Sequence, residues 1–136
     1  MTEVLSAFTC YRDPDAAVRW LERVLGFEVV SAYRDEASGR LEHAELRRGE
    51  AVVMVQHDAQ GYDVPAVKGG SVGHGLYLAV GEDAAVDELH RRAVEAGAHV
   101  LAGPATTEWG NHHVELLDPE GRQWSVGAYV PGRAAW

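Results

Sequence analysis

The chain has 136 residues, 46% hydrophobic and 24% charged, which is the make-up of one ordinary globular domain. Its 21 acids and 12 bases give a formal charge of -9. The bases are scattered, with pairs only at Arg47-Arg48 and Arg91-Arg92, so no nucleic-acid partner is expected, because phosphate backbones are bound mainly by clustered basic groups; a cationic or neutral small ligand suits the charge better.

No run approaches the roughly 18 consecutive apolar residues that would suggest a membrane span. The opening segment carries Glu3 and no basic leader, unlike a secretion signal. Cys10 is the single cysteine, so no internal disulfide is possible, as suits a reducing compartment. A cytoplasmic protein without membrane contact is the expectation.

In chain order, the pattern predicts a strand over Leu5–Tyr11 and then a helix. Asp13 can cap that helix, Pro14 sits where a missing N–H costs nothing, and Gly26 lies just past the end. Ala17, Trp20, Leu21, Val24 and Leu25 form one apolar face at helical spacing. Strands follow over Phe27–Arg34, Leu41–Arg47 and Ala51–Gln56, separated by turn residues. Asp58–Val72, with Gly61, Pro65, Gly69 and Gly70, predicts a connector, and Tyr62 within it is a residue that a lid would use. A strand over Gly75–Val80 precedes a second helix over Asp83–Ala96, with Val86, Leu89, Ala93 and Val94 inward and Gly97 as its stop. Strands over His99–Ala102, His112–Leu117 and Gln123–Val130 complete the chain. Asp118-Pro119-Glu120-Gly121 reads as a turn before Trp124, a core aromatic packed under a helix.

The halves repeat. Ala16-Ala17-Val18 matches Ala84-Ala85-Val86 at an offset of 68, which sets Ser6 on His74 and Phe8 on Leu76. His43-Ala44-Glu45-Leu46 matches His113-Val114-Glu115-Leu116 at an offset of 70. The expected fold is α+β: two βαβββ modules, about 3–57 and 73–130, joined by a connector over 58–72. As a single domain over 1–136, they are expected to pair into a cup-shaped mixed sheet with helices outside, the arrangement implied by the family resemblance that follows.

Two βαβββ modules with these motifs resemble the vicinal oxygen chelate superfamily, which includes glyoxalase I, bleomycin-resistance proteins and extradiol dioxygenases. The resemblance rests on Tyr11-Arg12-Asp13-Pro14-Asp15-Ala16-Ala17 through Val24-Leu25-Gly26-Phe27, and on the helix ending at Ala93–Ala98. It rests also on Trp109-Gly110 and on Asp118-Pro119-Glu120-Gly121 followed by Gln123-Trp124-Ser125. Metal-dependent members hold one divalent ion through four side chains. Carried over by alignment, those positions are Ser6, Met54, His74 and Ser125. Thioether and neutral hydroxyl groups are poor ligands for such ions, and one histidine is too few; no metal or other cofactor is expected there. A rival set is His43, Glu45, His113 and Glu115. Alternation places each pair on one strand face, either as a 2-His-2-carboxylate site or as polar residues lining the cup.

The same geometry without a metal implies a pocket walled, by strand parity, by Phe8, His43, Met54, Gln56, His74, Leu76, His113, Ser125 and Tyr129, with Trp109 at the rim. Such a mixture of apolar, aromatic and a few polar groups is typical of ligand sites. Met54 offers an adaptable surface, and Trp109 and Tyr129 suit stacking on a flat ring or holding a cation, with packing as the plainer role for each. His57, His90, His99 and His112 read as surface or loop residues. The resemblance implies the drug-binding branch: a homodimer with ligand clefts between subunits, sequestering an aromatic or polycyclic natural product without turning it over, and so with no catalytic residue. The alternative is a lyase- or isomerase-type enzyme using His/Glu acid–base groups, possible also with a non-standard metal site. Nothing in the sequence resembles an activated nucleophile, since Cys10 has no neighbour that would lower its pKa.

Overall fold

The computed structural model describes residues 3–133. The chain divides between Asp63 and Val64 into two compact units. The first contains β1 (Ala7–Tyr11), α1 (Pro14–Arg23), β2 (Glu28–Arg34), β3 (Leu41–Arg48) and β4 (Ala51–His57). The second contains β5 (Leu76–Ala79), α2 (Asp83–Glu95), β6 (His99–Thr106), β7 (His112–Leu117) and β8 (Gln123–Gly127). Each is a βαβββ module with a four-stranded mixed sheet, ordered β1-β4-β3-β2 and β5-β8-β7-β6. The first and last strands of each module run parallel, and the other pairs are antiparallel. The fold is α+β. Among the described residues no helix is long and apolar enough to cross a membrane.

Helix α1 starts and stops as its residues dictate. The Asp13 carboxylate accepts the Ala16 N–H at 3.1 Å, satisfying one of the donors that a helix start leaves unpaired. At the other end Gly26 takes φ 72°, and the Phe27 N–H reaches back to the Leu21 carbonyl at 3.1 Å, a return bond one residue longer than that of a Schellman ending. In α2 the cap position holds Glu82 without a side-chain bond, so packing rather than capping fixes its start.

Each helix lies on one face of its own sheet. In the first unit Ala17, Leu21, Val24 and Leu25 are buried with Tyr11, Ala44, Leu46, Val53 and Val55. In the second, Val86, Leu89 and Ala93 are buried with Leu78, Val114, Leu116, Trp124 and Val126. Each fully buried Leu, Val or Ile contributes roughly 1.5–3 kcal/mol. Val94, expected inward, is 57% exposed, because the buried stripe through Val86, Leu89 and Ala93 leaves it on the outer side. Trp124 is 2% exposed and its indole N–H donates to Asp118 Oδ2 at 3.2 Å; the same carboxylate, through Oδ1, accepts the N–H groups of Glu120 and Arg122. That carboxylate explains the turn and the tryptophan together.

The connector joins the second unit. The Gln123 side-chain oxygen accepts from the Ser71 hydroxyl at 2.8 Å and the Val72 N–H at 3.0 Å. On the other side of the boundary, Asp58 accepts the N–H groups of Gln60, Gly61 and Tyr62. Tyr62 itself is 55% exposed.

Candidate functional site

The strand registers define the sheet face that each helix leaves open. In the first unit two rows run across β1-β4-β3-β2: Phe8–Met54–Glu45–Ser31 and Cys10–Gln56–His43–Tyr33. Phe8 and Tyr33 are 65% and 64% exposed. His43 Nε2 lies 3.3 Å from Glu45 Oε2, within hydrogen-bond distance and partly open to solvent.

In the second unit the corresponding rows are Tyr77–Ser125–Glu115–Ala102 and Ala79–Gly127–His113–Ala105. The floor is lower there, with Ala79, Gly127, Ala102 and Ala105 as its small members, while His113 stands between Gly127 and Ala105 and Glu115 between Ser125 and Ala102. Tyr77 crosses it: its hydroxyl donates to the Tyr129 carbonyl at 2.7 Å. Gly127 has to be glycine for this, since a Cβ there would fall inside the Tyr77 hydroxyl and 2.8 Å from the Asn111 amide. Burial pushes the Tyr77 phenol above its ordinary pKa and nearby Glu115 adds to that, against the pull of Asn111. The phenol therefore stays protonated and remains a donor at neutral pH.

Asn111 organises the rim. It is 4% exposed, and its Oδ1 accepts the Tyr129 N–H at 3.1 Å. Its backbone N–H donates to the Thr107 hydroxyl at 2.9 Å while its carbonyl accepts the Thr107 N–H. These bonds close a tight loop through Gly110, at φ 94°. Trp109 sits on that loop, 54% exposed, edge-on to Tyr129 with ring centroids 5.6 Å apart. Behind the aromatics, the Ser125 hydroxyl donates to Glu115 Oε1 at 3.0 Å, and His113 Nδ1 lies 3.6 Å from the same oxygen. Glu115 Oε2 is buried with no hydrogen-bond partner among the described residues.

Two pocket positions read from strand parity need correction. Leu76 pairs with Trp124 and shares a face with buried Leu78, so it faces the helix and not the open side. His74 precedes β5 and is exposed. The offset of 68 was one short. The first helical residues, Pro14 and Asp83, stand 69 apart, and the registers set Phe8 against Tyr77. A one-residue slip reverses every side chain of a strand. Tyr77 was missed for that reason, and Gly75 rather than His74 corresponds to Ser6. Phe8, His43, Met54 and Gln56 line the open face of the first unit; His113 and Ser125 line that of the second, with Trp109 and Tyr129 beside it.

The positions that the resemblance assigns to a metal become Ser6, Met54, Gly75 and Ser125, and hydroxyl, thioether and a glycine without a side chain do not suit a divalent ion. Each histidine lies beside the glutamate of its own strand, His43 by Glu45 and His113 by Glu115. Among the described residues no three His, Cys, Asp or Glu side chains form a group able to hold a metal. His112 has a structural place: its Nε2 lies 2.7 Å from Asp87 on α2 and its Nδ1 3.0 Å from the Thr106 hydroxyl on β6.

Comparison with known proteins agrees with this architecture. TioX from Micromonospora sp. ML1 is 30% identical, with a TM-score of 0.72 over 94% of this chain and 100% of that one. A mutant of the fosfomycin resistance protein FosX from Listeria monocytogenes, in complex with Mn(II) and dihydroxypropylphosphonic acid, shares the fold at 10% identity. Its TM-score is 0.71 over 96% of this chain and 93% of that one. An uncharacterized protein of Mycobacterium tuberculosis, Rv0887c, is 31% identical over 96 residues, 68% of this chain and 55% of that protein. The chain thus spans little more than half the length of that relative. Residues 5–126 match the profile of the Glyoxalase/Bleomycin resistance protein/Dioxygenase superfamily, and the chain belongs to that superfamily.

Proposed function

We propose that this protein binds an aromatic or polycyclic small molecule, without a metal, and holds it unchanged. The observation that carries this reading is the aromatic group of Tyr77, Trp109 and Tyr129 at the open face of the second sheet. A flat ring needs broad aromatic faces, and offset or edge-on ring contacts each add about 0.5–1.5 kcal/mol beyond burial. The first unit offers a second apolar surface in Phe8, Met54 and Tyr33.

Sequestration asks only for affinity: a nanomolar dissociation constant corresponds to about 12 kcal/mol. Chemistry would ask for more. The Ser125 hydroxyl donates to a carboxylate and not to a histidine, which is not the arrangement of an activated nucleophile. A homodimer with ligand clefts between subunits belongs to the same proposal, as does a cytoplasmic location.

Calorimetric titration with planar aromatic antibiotics, followed by chromatography of the recovered ligand, tests the reading. Micromolar or tighter binding with the ligand returned intact is the expected outcome. Ligand returned chemically altered would overturn it in favour of a lyase- or isomerase-type activity based on His113 and Glu115. Light scattering tests the dimer directly.

A further inference from the structure

The two His-x-Glu pairs occupy equivalent strand positions and differ in what surrounds them. Glu45 is 46% exposed, while Glu115 is 18% exposed. Glu115 keeps one oxygen occupied by Ser125 and its other oxygen, buried, meets no donor among the described residues. A polar group left in that condition costs about 1–3 kcal/mol, and more when it is charged. Proteins leave few such groups without a reason.

The location supplies the reason. Glu115 stands in the same cross-strand row as Tyr77, whose hydroxyl bonds the Tyr129 backbone, and Tyr129 carries Trp109 on its ring edge. A carboxylate and three aromatic rings therefore share one end of the open sheet face. Aromatic faces attract cations by their quadrupole, and a net charge of -9 favours the approach of positive ligands. The terminal torsion of a glutamate is broad and soft, so the carboxylate turns its free oxygen toward an incoming donor at little cost.

We propose that Glu115 is the polar anchor of this site, and that the ligand is a planar aromatic cation carrying N–H donors. This rests on the aromatic-binding reading above. The rings lie against Trp109, Tyr129 and Tyr77, and an N–H of the ligand satisfies the orphaned carboxylate oxygen.

Two three-ring probes separate the anchor from the aromatic surface: proflavine, cationic with amino donors, and phenazine, uncharged with none. Titration calorimetry of the full-length protein is expected to show proflavine binding at least about tenfold tighter than phenazine, the scale of one hydrogen bond to a charged group. Glu115→Gln, of nearly the same shape, is expected to weaken proflavine about tenfold and to leave phenazine within about twofold. Glu115→Asp recovers part of the loss, and Glu36→Gln, which removes one charge from an exposed turn, changes neither probe. A melting curve for each variant confirms the fold. If Glu115→Gln leaves proflavine unchanged, or weakens both probes equally, the anchor is wrong while aromatic binding stands. If neither probe binds the unaltered protein, both readings fall.

Discussion

The two modules share one plan and have parted at the open faces of their sheets. In the first, large side chains cover the face: Met54, Gln56 and Tyr33 stand where the second has Ser125, Gly127 and Ala105. In the second, the glycine and alanines lower the floor, and Tyr77 spans it to reach the Tyr129 backbone. The buried faces stayed alike, with Ala44 and Leu46 matched by Val114 and Leu116, all 0–1% exposed. A repeat whose core is held and whose open face varies has kept its fold in both copies and specialised one surface. That difference is why the second face is the one proposed to take a ligand.

Substitutions can break or sharpen this contrast. The largest effect is expected at Gly127. Gly127→Ala drives a methyl into the Tyr77 hydroxyl and the Asn111 amide, and should cost about 1–3 kcal/mol in urea unfolding, as overpacking does. At Gln56, the matching position in the first module, replacement by Ala should change stability by no more than about 0.5 kcal/mol; equal losses at both sites would show that the two floors do not differ.

Thr9 and Leu78 are the next pair, both on the helix-covered face of equivalent strands. Thr9 is 7% exposed and its hydroxyl has no partner among the described residues. Thr9→Val keeps the shape and removes an unsatisfied group, so a gain of about 1 kcal/mol is expected. A loss instead would mean that the hydroxyl is bonded in solution.

The smallest effect concerns Asp58, read as a slope in acid. Desolvation raises its pKa, but the N–H groups of Gln60, Gly61 and Tyr62, helped by Arg12, outweigh that and hold it below the usual carboxylate value. A depressed folded-state pKa gives stability that is present above the unfolded-state value and lost as pH falls through the folded one. Asp58→Asn should flatten that acid decline when stability is followed by denaturant titration at successive pH values. An unchanged slope would remove Asp58 as its source.

Much of the fold was legible because local signals agreed with one another. Asp13, Pro14 and Gly26 announced α1, and the structure places it at Pro14–Arg23. The alternation at Ala44, Leu46, Val114 and Leu116 gave the faces of β3 and β7 correctly. Trp124 was read as core and is. The second face was read less well, because its geometry depends on a count of one residue. The Ala-Ala-Val match set the modules 68 apart, whereas the helix starts and strand registers lie at 69, and a strand has no tolerance for that error. Asn111 carried no sequence signal at all. Its importance comes from bonds to Thr107 and Tyr129, which only the folded loop brings within reach.

Tryptophan burial has a practical consequence. Trp124 is sealed in the second core with its indole N–H on a carboxylate, whereas Trp109 stands more than half in solvent at the rim. Indole emission shifts to longer wavelength in water, so the two report from separate environments within one module. With the other two tryptophans, Trp20 and Trp136, replaced by phenylalanine, a ring stacked on Trp109 would quench the red side of the fluorescence and spare the blue, an optical readout of occupancy that needs no label.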